Sequence, residues 1–313
     1  MYIYDPQLST MKTGIFANHV LLVRPRSFRS NPETATDNHF QKTGQGAEYA
    51  VQANLELDGM LTALGNQGIT TTVFEITDDL DTPDAIFPNN WFSTHRTGEL
   101  VLYPMKAANR RTERRNEIIR LLKKEYRKTF DMSGFEDSGK YLEGTGSLVL
   151  DRQNRIAFAA VSERTDPALV GIWCKTLDYE PVVFTALDGN GRPVYHTNVV
   201  LNIGNGFAAA ALDNIPDEKE RHHVQQRLKE GGRQLVPLTG EQLEAFAGNG
   251  LQLSAHDGQP VYLLSSTGWE SLDSHQKALI AECTAVITPD LHIIEQTGGG
   301  SARCMVAELF PQK

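Results

Sequence analysis

Residues 196–238 read HTNVVLNIGNGFAAAALDNIPDEKERHHVQQRLKEGGRQLVPL. Two apolar runs, 199–203 and 207–212, flank Gly204-Asn205-Gly206, a strong turn signal, and so read as a β-hairpin. Residues 218–229 are charged, with apolar positions at helical spacing, and residues 234–238 return to a short strand pattern. The unit is hairpin, helix, strand. It recurs upstream, with a hairpin over 147–150 and 156–161, a helix over 167–177 and a strand over 181–185. Earlier still, 20–23 reads as a buried strand, 47–64 as a helix, and the β-branched run 70–76 as a strand. Phe92 and 100–103 then fit two short strands before a helix over 111–126, whose Ile118, Ile119, Leu122 and Tyr126 share one side. Four polar positions that precede or enter the first strand of a unit are Asn90, Glu143, His196 and Cys304. Their spacings are 53, 53 and 108, and 108 is twice 54. The step predicts a fourth-unit position near Gly250, inside Gly248-Asn249-Gly250, and a step back from Asn90 lands on Asp37. Five such units arranged about an axis would bring these positions together and leave few sheet edges exposed.

Working outward, the composition sets limits. The chain has 313 residues, with 30 Lys and Arg against 39 Asp and Glu, a net charge of −9. That balance argues against nucleic-acid partners, which demand a basic surface, and against adsorption to a membrane. The longest apolar runs, 156–161 and 207–212, fall far short of the ~20 residues a spanning helix needs. The first residues, MYIYDPQLSTMKTG, lack a signal-peptide pattern. Three cysteines without metal-ligand spacing fit neither a disulfide framework nor a zinc site, and the expected location is the cytoplasm. No linker-like stretch interrupts 1–313, so one domain is expected. Oligomeric state is left open, a homo-oligomer included.

The candidate chemistry lies at the repeat positions. Cys304 follows Gly298-Gly299-Gly300, where glycines permit close approach of backbone to a ligand, and neighbours Arg303. Taken alone, a lone cysteine is more often a small buried hydrophobe, the reading kept for Cys174 and Cys283. His196 precedes an apolar strand and is suited to take and return a proton near neutrality, although a structural histidine is as common. His222-His223 sits on a charged helix and reads as solvated. His95 lines a site or caps a strand. Glu143, followed by Gly144-Thr145-Gly146, is placed to hold a ligand or orient an imidazole, against the plainer reading of a turn carboxylate. Asp84, Asn89 and Asn90 lie among bulky apolar residues, where buried amides require hydrogen-bond work.

These motifs resemble the guanidino-group-modifying superfamily of arginine deiminases, dimethylarginine dimethylaminohydrolases and glycine amidinotransferases. The likeness spans roughly residues 20–310. It implies an α/β fold, a five-bladed α/β propeller of ββαβ-type repeats (the pentein fold). Gly298 through Met305 is similar to the segment carrying the family's nucleophile, which makes Cys304 the nucleophile, His196 the acid–base and Glu143 the catalytic carboxylate. The resemblance further implies that Arg164, with Arg110, binds a substrate carboxylate. Asp84 would bind its ammonium, and Asn89, Asn90 and Asn198 its reacting end. No cofactor and no metal is implied.

Two departures bear on specificity. Arginine deiminases carry aspartates where Asn90 and Asn198 stand, and Gly144-Thr145-Gly146 departs from the usual Gly-Gly-Asp. An amide complements a neutral ureido group better than a carboxylate would. The expected partner is thus a small ureido or guanidino amino acid. The expected reaction is hydrolysis of its C–N bond, above all citrulline to ornithine, ammonia and carbon dioxide, as in a citrulline-utilising hydrolase branch. The alternatives are an arginine deiminase or methylarginine hydrolase, an amidinotransferase, or a catalytically silent binding module. The polar segment 29–46 is expected to form a lid.

Overall fold

The computed structural model describes residues 14–42, 44 and 46–310. The N-terminal stretch without a signal-peptide pattern, apart from Gly14, and positions 43 and 45 of the expected lid lie outside the described residues.

Among the described residues five three-stranded sheets make up the architecture, and each has the same wiring. The first two strands form an antiparallel pair, and the third returns through a helix to lie parallel to the second. In the sheet read from residues 196–238, Leu201–Ile203 pairs antiparallel with Phe207–Ala210, with Ala209 opposite Asn202. Phe207–Ala210 then pairs parallel with Gln234–Pro237, after the helix Glu218–Leu228. A parallel neighbour cannot be reached by a tight turn, which is why each unit needs its crossover helix. The same pattern holds for Phe92–Thr94, Glu99–Leu102 and Lys128–Asp131. It holds for Val149–Asp151, Ile156–Ala160 and Glu180–Phe184, and for Leu251–Ser254, Pro260–Leu263 and Ala285–Ile287. The fifth sheet joins the first and last described strands. Ala307–Leu309 pairs antiparallel with His19–Arg24, which runs parallel to Thr70–Glu75. The first strands are neighbours around the centre: Ala307–Leu309 touches Phe92–Thr94, and Leu201–Ile203 touches both Val149–Asp151 and Leu251–Ser254. This is the five-bladed α/β propeller the sequence predicts.

The core fills the wedges between sheets and their helices. Trp173 and Cys174 of the helix Pro167–Leu177 pack on Ala157 and Ala159. Leu57, Met60 and Leu64 of Ala47–Asn66 pack around Leu22. Strands that are apolar on both faces, such as Ile156–Ala160, are fully buried, as expected where helices and neighbouring sheets cover them.

Three local expectations are corrected. Residues 147–150 and 199–203 do not begin as strands. Each strand is preceded by one helical turn, Gly144–Ser147 or Thr197–Val200. The helix expected over 111–126 is confined to Asn116–Glu125. The preceding Arg114 instead donates to Tyr103 O at 3.1 Å and to Glu136 Oε1 at 2.6 Å, and Arg115 donates to Asp78 Oδ1 at 3.0 Å.

Candidate active site

The repeat positions sit at one end of the axis, each just before the first strand of its sheet. Asn90 ends the short turn Pro88–Asn90. Glu143 and His196 are the N-cap residues of the two helical turns. Asn249 precedes Leu251–Ser254, and Cys304 precedes Ala307–Leu309. The turns are tied together. Thr197 Oγ1 donates to Ser147 O at 2.6 Å and accepts from Ala160 N at 2.7 Å. Ser147 Oγ accepts from Glu143 N and donates to Arg164 O, both at 2.9 Å. Gly146 is required by crowding: a Cβ there would lie 2.5 Å from Asn90 Nδ2 and 2.6 Å from His196 Nδ1.

His196 Nε2 donates to Glu143 Oε2 at 2.9 Å. Glu143 Oε1 accepts from Lys106 N at 3.0 Å, and Oε2 lies 3.6 Å from Arg164 Nη1 and 3.9 Å from Arg110 Nη1. Burial alone would raise the Glu143 pKa. Arg164, the His196 hydrogen bond and Arg110 outweigh it, and the carboxyl sits well below the usual range. His196 is lowered, chiefly by burial, with Glu143 opposing and Arg164 and Arg110 assisting. The pair therefore presents a neutral imidazole fixed by an ionised carboxylate, with Nδ1 left to exchange protons.

Cys304 is buried, and two amides face its sulfur, Asn249 Nδ2 at 3.3 Å and Asn198 Nδ2 at 3.5 Å. The Arg303 guanidinium is held elsewhere, by Val306 O at 2.9 Å and Glu308 at 3.0 Å.

Arg110 is fully buried and engaged at every nitrogen. Nε and Nη2 take Glu113 at 3.0 Å each, Nη2 also reaches Phe87 O at 3.2 Å, and Nη1 donates to Asn90 Oδ1 at 2.8 Å. Arg164 holds Asp37 through Nε at 3.1 Å and through Nη2, and donates to Thr34 O at 3.0 Å. Its guanidinium lies over the Tyr195 ring at 5.1 Å. Burial would raise the Asp37 carboxyl, but Arg164 and Lys106 bring it below its ordinary value.

The described part of the 29–46 segment covers the site. Asn31 Nδ2 and Thr34 Oγ1 donate to Asp84 Oδ2 at 2.8 and 3.0 Å. Asn38 Nδ2 donates to Gly299 O at 3.1 Å. Beneath it, Asp84, Asn90, Arg164, His196 and Cys304 line a pocket with ≈ 10 Å³ of free volume, about the space one water needs. Two buried polar atoms of its lining residues have no protein partner, Asp84 Oδ1 and Asn90 Nδ2, and neither has Asn198 Oδ1 on the other side of the sulfur. Buried polar atoms are rarely left without a partner, so these are open to water or to a ligand.

Of the expected residues, Asp84, Asn90, Arg110, Arg164, His196 and Cys304 line the pocket. Glu143 stands behind His196, and Asn198 beside the sulfur. Asn89 does not line the pocket; its carbonyl accepts from Thr145 Oγ1 at 3.4 Å. His95 is bonded to Ser93 Oγ at 2.9 Å outside it. Burial pushes the Cys174 thiol up to about 12, and His222 and His223 are exposed. Asn249, Tyr195 and Asn38 were not singled out by motif. The 53-residue step pointed at the Gly248-Asn249-Gly250 segment, and Tyr195 adjoins His196. Among the described residues no group of three or more His, Cys, Asp and Glu is arranged to hold a metal, and no helix is long and apolar enough to cross a membrane.

Comparison with solved structures returns the same fold. The N-terminal domain of the cyanobacterial arginine dihydrolase ArgZ, bound to substrate, superposes with a TM-score of 0.69 at 16% identity. The match covers 93% of this chain and 97% of that domain. AgrE in ternary complex with ornithine and NAD+ gives 0.72 at 15% identity, over 95% of this chain but 40% of that longer one. A dimethylarginine dimethylaminohydrolase adduct with 4-chloro-2-hydroxymethylpyridine gives 0.60 at 13% identity, over 94% and 100%. No curated protein gives a significant sequence match. The family profile described as N,N dimethylarginine dimethylhydrolase, eukaryotic, matches residues 24–311. A propeller whose blade ends bring together Cys304, His196 and Glu143, matched by that profile over nearly its whole length, belongs to this family of the guanidino-group-modifying pentein superfamily.

Proposed function

We propose that the chain is a cysteine hydrolase of a ureido amino acid, citrulline above all, acting as one domain over 1–313 in the cytoplasm. The observation that carries the substrate is the orientation of Asn90. Arginine has only donors, so the 2.8 Å contact with Arg110 Nη1 must take Asn90 Oδ1. That leaves Nδ2, a donor, unpartnered at the pocket. A guanidinium also offers only donors, whereas a ureido carbonyl accepts. The unpartnered Asn198 Oδ1 suits a ureido NH2 in the same way.

In this reading Asp84 Oδ1 accepts the substrate ammonium. Arg164 takes its carboxylate, releasing Asp37 as the 29–46 segment opens and closes again. The Cys304 thiol gives its proton to His196 Nδ1 as its sulfur attacks the ureido carbon, and the carbonyl oxygen gains negative charge against Asn90 Nδ2. The bond to the ornithine nitrogen breaks as His196 protonates that nitrogen. The same imidazole then takes a proton from water as it attacks the S-carbamoyl enzyme, and returns it to the departing sulfur, so that the thiol and the neutral imidazole are restored. The carbamate released decomposes to ammonia and carbon dioxide. Glu143 keeps His196 in one orientation throughout.

A second reading, hydrolysis of arginine or a methylarginine, is favoured by Glu143, an ionised carboxylate near the reacting end that would suit a cation. Products distinguish them. Incubation with citrulline or arginine, followed by mass spectrometry beside a Cys304→Ala control, should show ornithine from citrulline, lost in the control. Citrulline accumulating from arginine, with citrulline itself inert, would establish the second reading.

A further inference from the structure

The fourth blade contributes one side chain to the centre, and none of the mechanism above uses it. Asn249 is fully buried at the blade end, in a loop that Gly248 allows to close. A Cβ at Gly248 would stand 2.0 Å from Val199 O. Both ends of the Asn249 amide are fixed. Oδ1 accepts from Arg303 N at 3.0 Å, and a backbone N–H can only donate, so the oxygen's place is decided. Nδ2 then faces Asn198 O at 3.0 Å and Cys304 Sγ at 3.3 Å. With two hydrogens on Nδ2, one meets each. Asn249 Oδ1 lies farther from the sulfur and accepts from the Cys304 thiol at 3.7 Å. Asn198 also presents its amide to the sulfur, at 3.5 Å, but its Oδ1 has no partner. Asn198 is therefore free to turn toward a substrate, whereas Asn249 is not. The nearest cation by sequence, Arg303, is occupied by Val306 O and Glu308.

We propose that Asn249 is a further catalytic residue: its amide N–H donates to the Cys304 sulfur, aims it at the pocket and stabilises the negative charge the sulfur carries as it attacks. The assignment rests on Cys304 being the nucleophile and not on the identity of the substrate. A hydrogen bond to a charged acceptor is stronger than one to a neutral acceptor. The contact thus strengthens as the sulfur gains charge, and the second bond to Asn198 O keeps the donor in place.

The test is the rate of iodoacetamide labelling at Cys304, followed by mass spectrometry across pH 5 to 9. The proteins are the wild type, Asn249→Asp and Asn249→Ala. The Asp variant keeps the acceptor for Arg303 N and loses the donor; the Ala variant loses the donor without adding charge. Both should label roughly ten- to a hundredfold more slowly at pH 7, as the loss of one hydrogen bond to a charged group implies. Their rate profiles should also move to higher pH. A folded variant with the wild-type rate and profile would overturn the assignment. A measurement on the unsubstituted protein covers the case in which neither variant folds. The Asn249 side-chain amide resonance should shift with pH as the thiolate forms, and should stay still in Cys304→Ala. An Asn249 resonance equally indifferent in both would overturn the assignment too. Rapid selective labelling together with no turnover of citrulline would leave this inference standing and remove the substrate reading.

Discussion

Replacing Asn90 by aspartate exchanges one NH2 for one oxygen and leaves the shape of the side chain unchanged. The Arg110 contact survives, because Nη1 at 2.8 Å meets a carboxylate oxygen as readily as an amide oxygen. Arg110 already faces Glu113 at 3.0 Å, Asp84 at 3.8 Å and Glu143 at 3.9 Å, so a further buried carboxylate is under-compensated and Tm should fall. The pocket changes more. The unpartnered donor at Asn90 Nδ2 becomes an acceptor facing the oxygen that gains charge during attack. Losing one such donor costs roughly 3–4 kcal/mol, or about 10²–10³ in kcat, and like-charge repulsion adds to it. The assay is ornithine release from citrulline under saturating and limiting substrate, with Tm measured alongside. Unchanged or increased citrulline turnover in Asn90→Asp would refute the argument from donor orientation, and gain of arginine turnover would favour a cationic substrate.

Gly146→Ala would press a methyl to within 2.5 Å of Asn90 Nδ2 and 2.6 Å of His196 Nδ1. A displacement of about 1 Å should lower kcat about 10²-fold while Tm falls modestly, which steady-state kinetics and thermal melting can separate. Glu308 Oε2 serves both Arg152 Nη2 at 3.2 Å and Arg303 Nη2 at 3.0 Å. Glu308→Gln should therefore cost roughly 3–5 kcal/mol and lower Tm by roughly ten degrees; a change under two degrees would contradict the shared-carboxylate account. Burial, helped by His256, lowers the His19 pKa to about 4. A histidine kept neutral by the fold gives stability that is present above 6.5 and lost as pH falls through about 4, up to roughly 3 kcal/mol. Urea midpoints of His19→Gln should accordingly lose less between pH 7 and pH 4 than those of the wild type.

The repeating unit was legible because turn chemistry and crossover helices recur at a fixed step, and the step itself located the blade ends. Asn90, Glu143, His196 and Cys304 come together for that reason. The one-turn helices at Gly144–Ser147 and Thr197–Val200 were not legible. In a run as apolar as Val199-Val200-Leu201, periodicity cannot separate a buried helical turn from a strand. The pairing of Arg164 with Asp37, 127 residues apart, leaves no local trace, since an ion pair across the centre depends on closure of the whole ring. The occupation of Arg110 by Glu113 and Asn90 is similar: the motif shows an arginine beside an acid and says nothing of where the remaining nitrogens go. Asn249 carries no motif of its own and was visible only as a place in the step.

The pairing of Ala307–Leu309 with His19–Arg24, His19 opposite Leu309, has a consequence for how the molecule comes into being. A ribosome delivers the second and third strands of that blade first and its inner strand last. Cys304, three residues ahead of the closing strand, emerges after the four other blades have been made. Contacts so distant along the chain form slowly. The nascent protein would thus hold His196 against Glu143 before it holds Cys304 in place, and the pocket would be complete only when the ring locks.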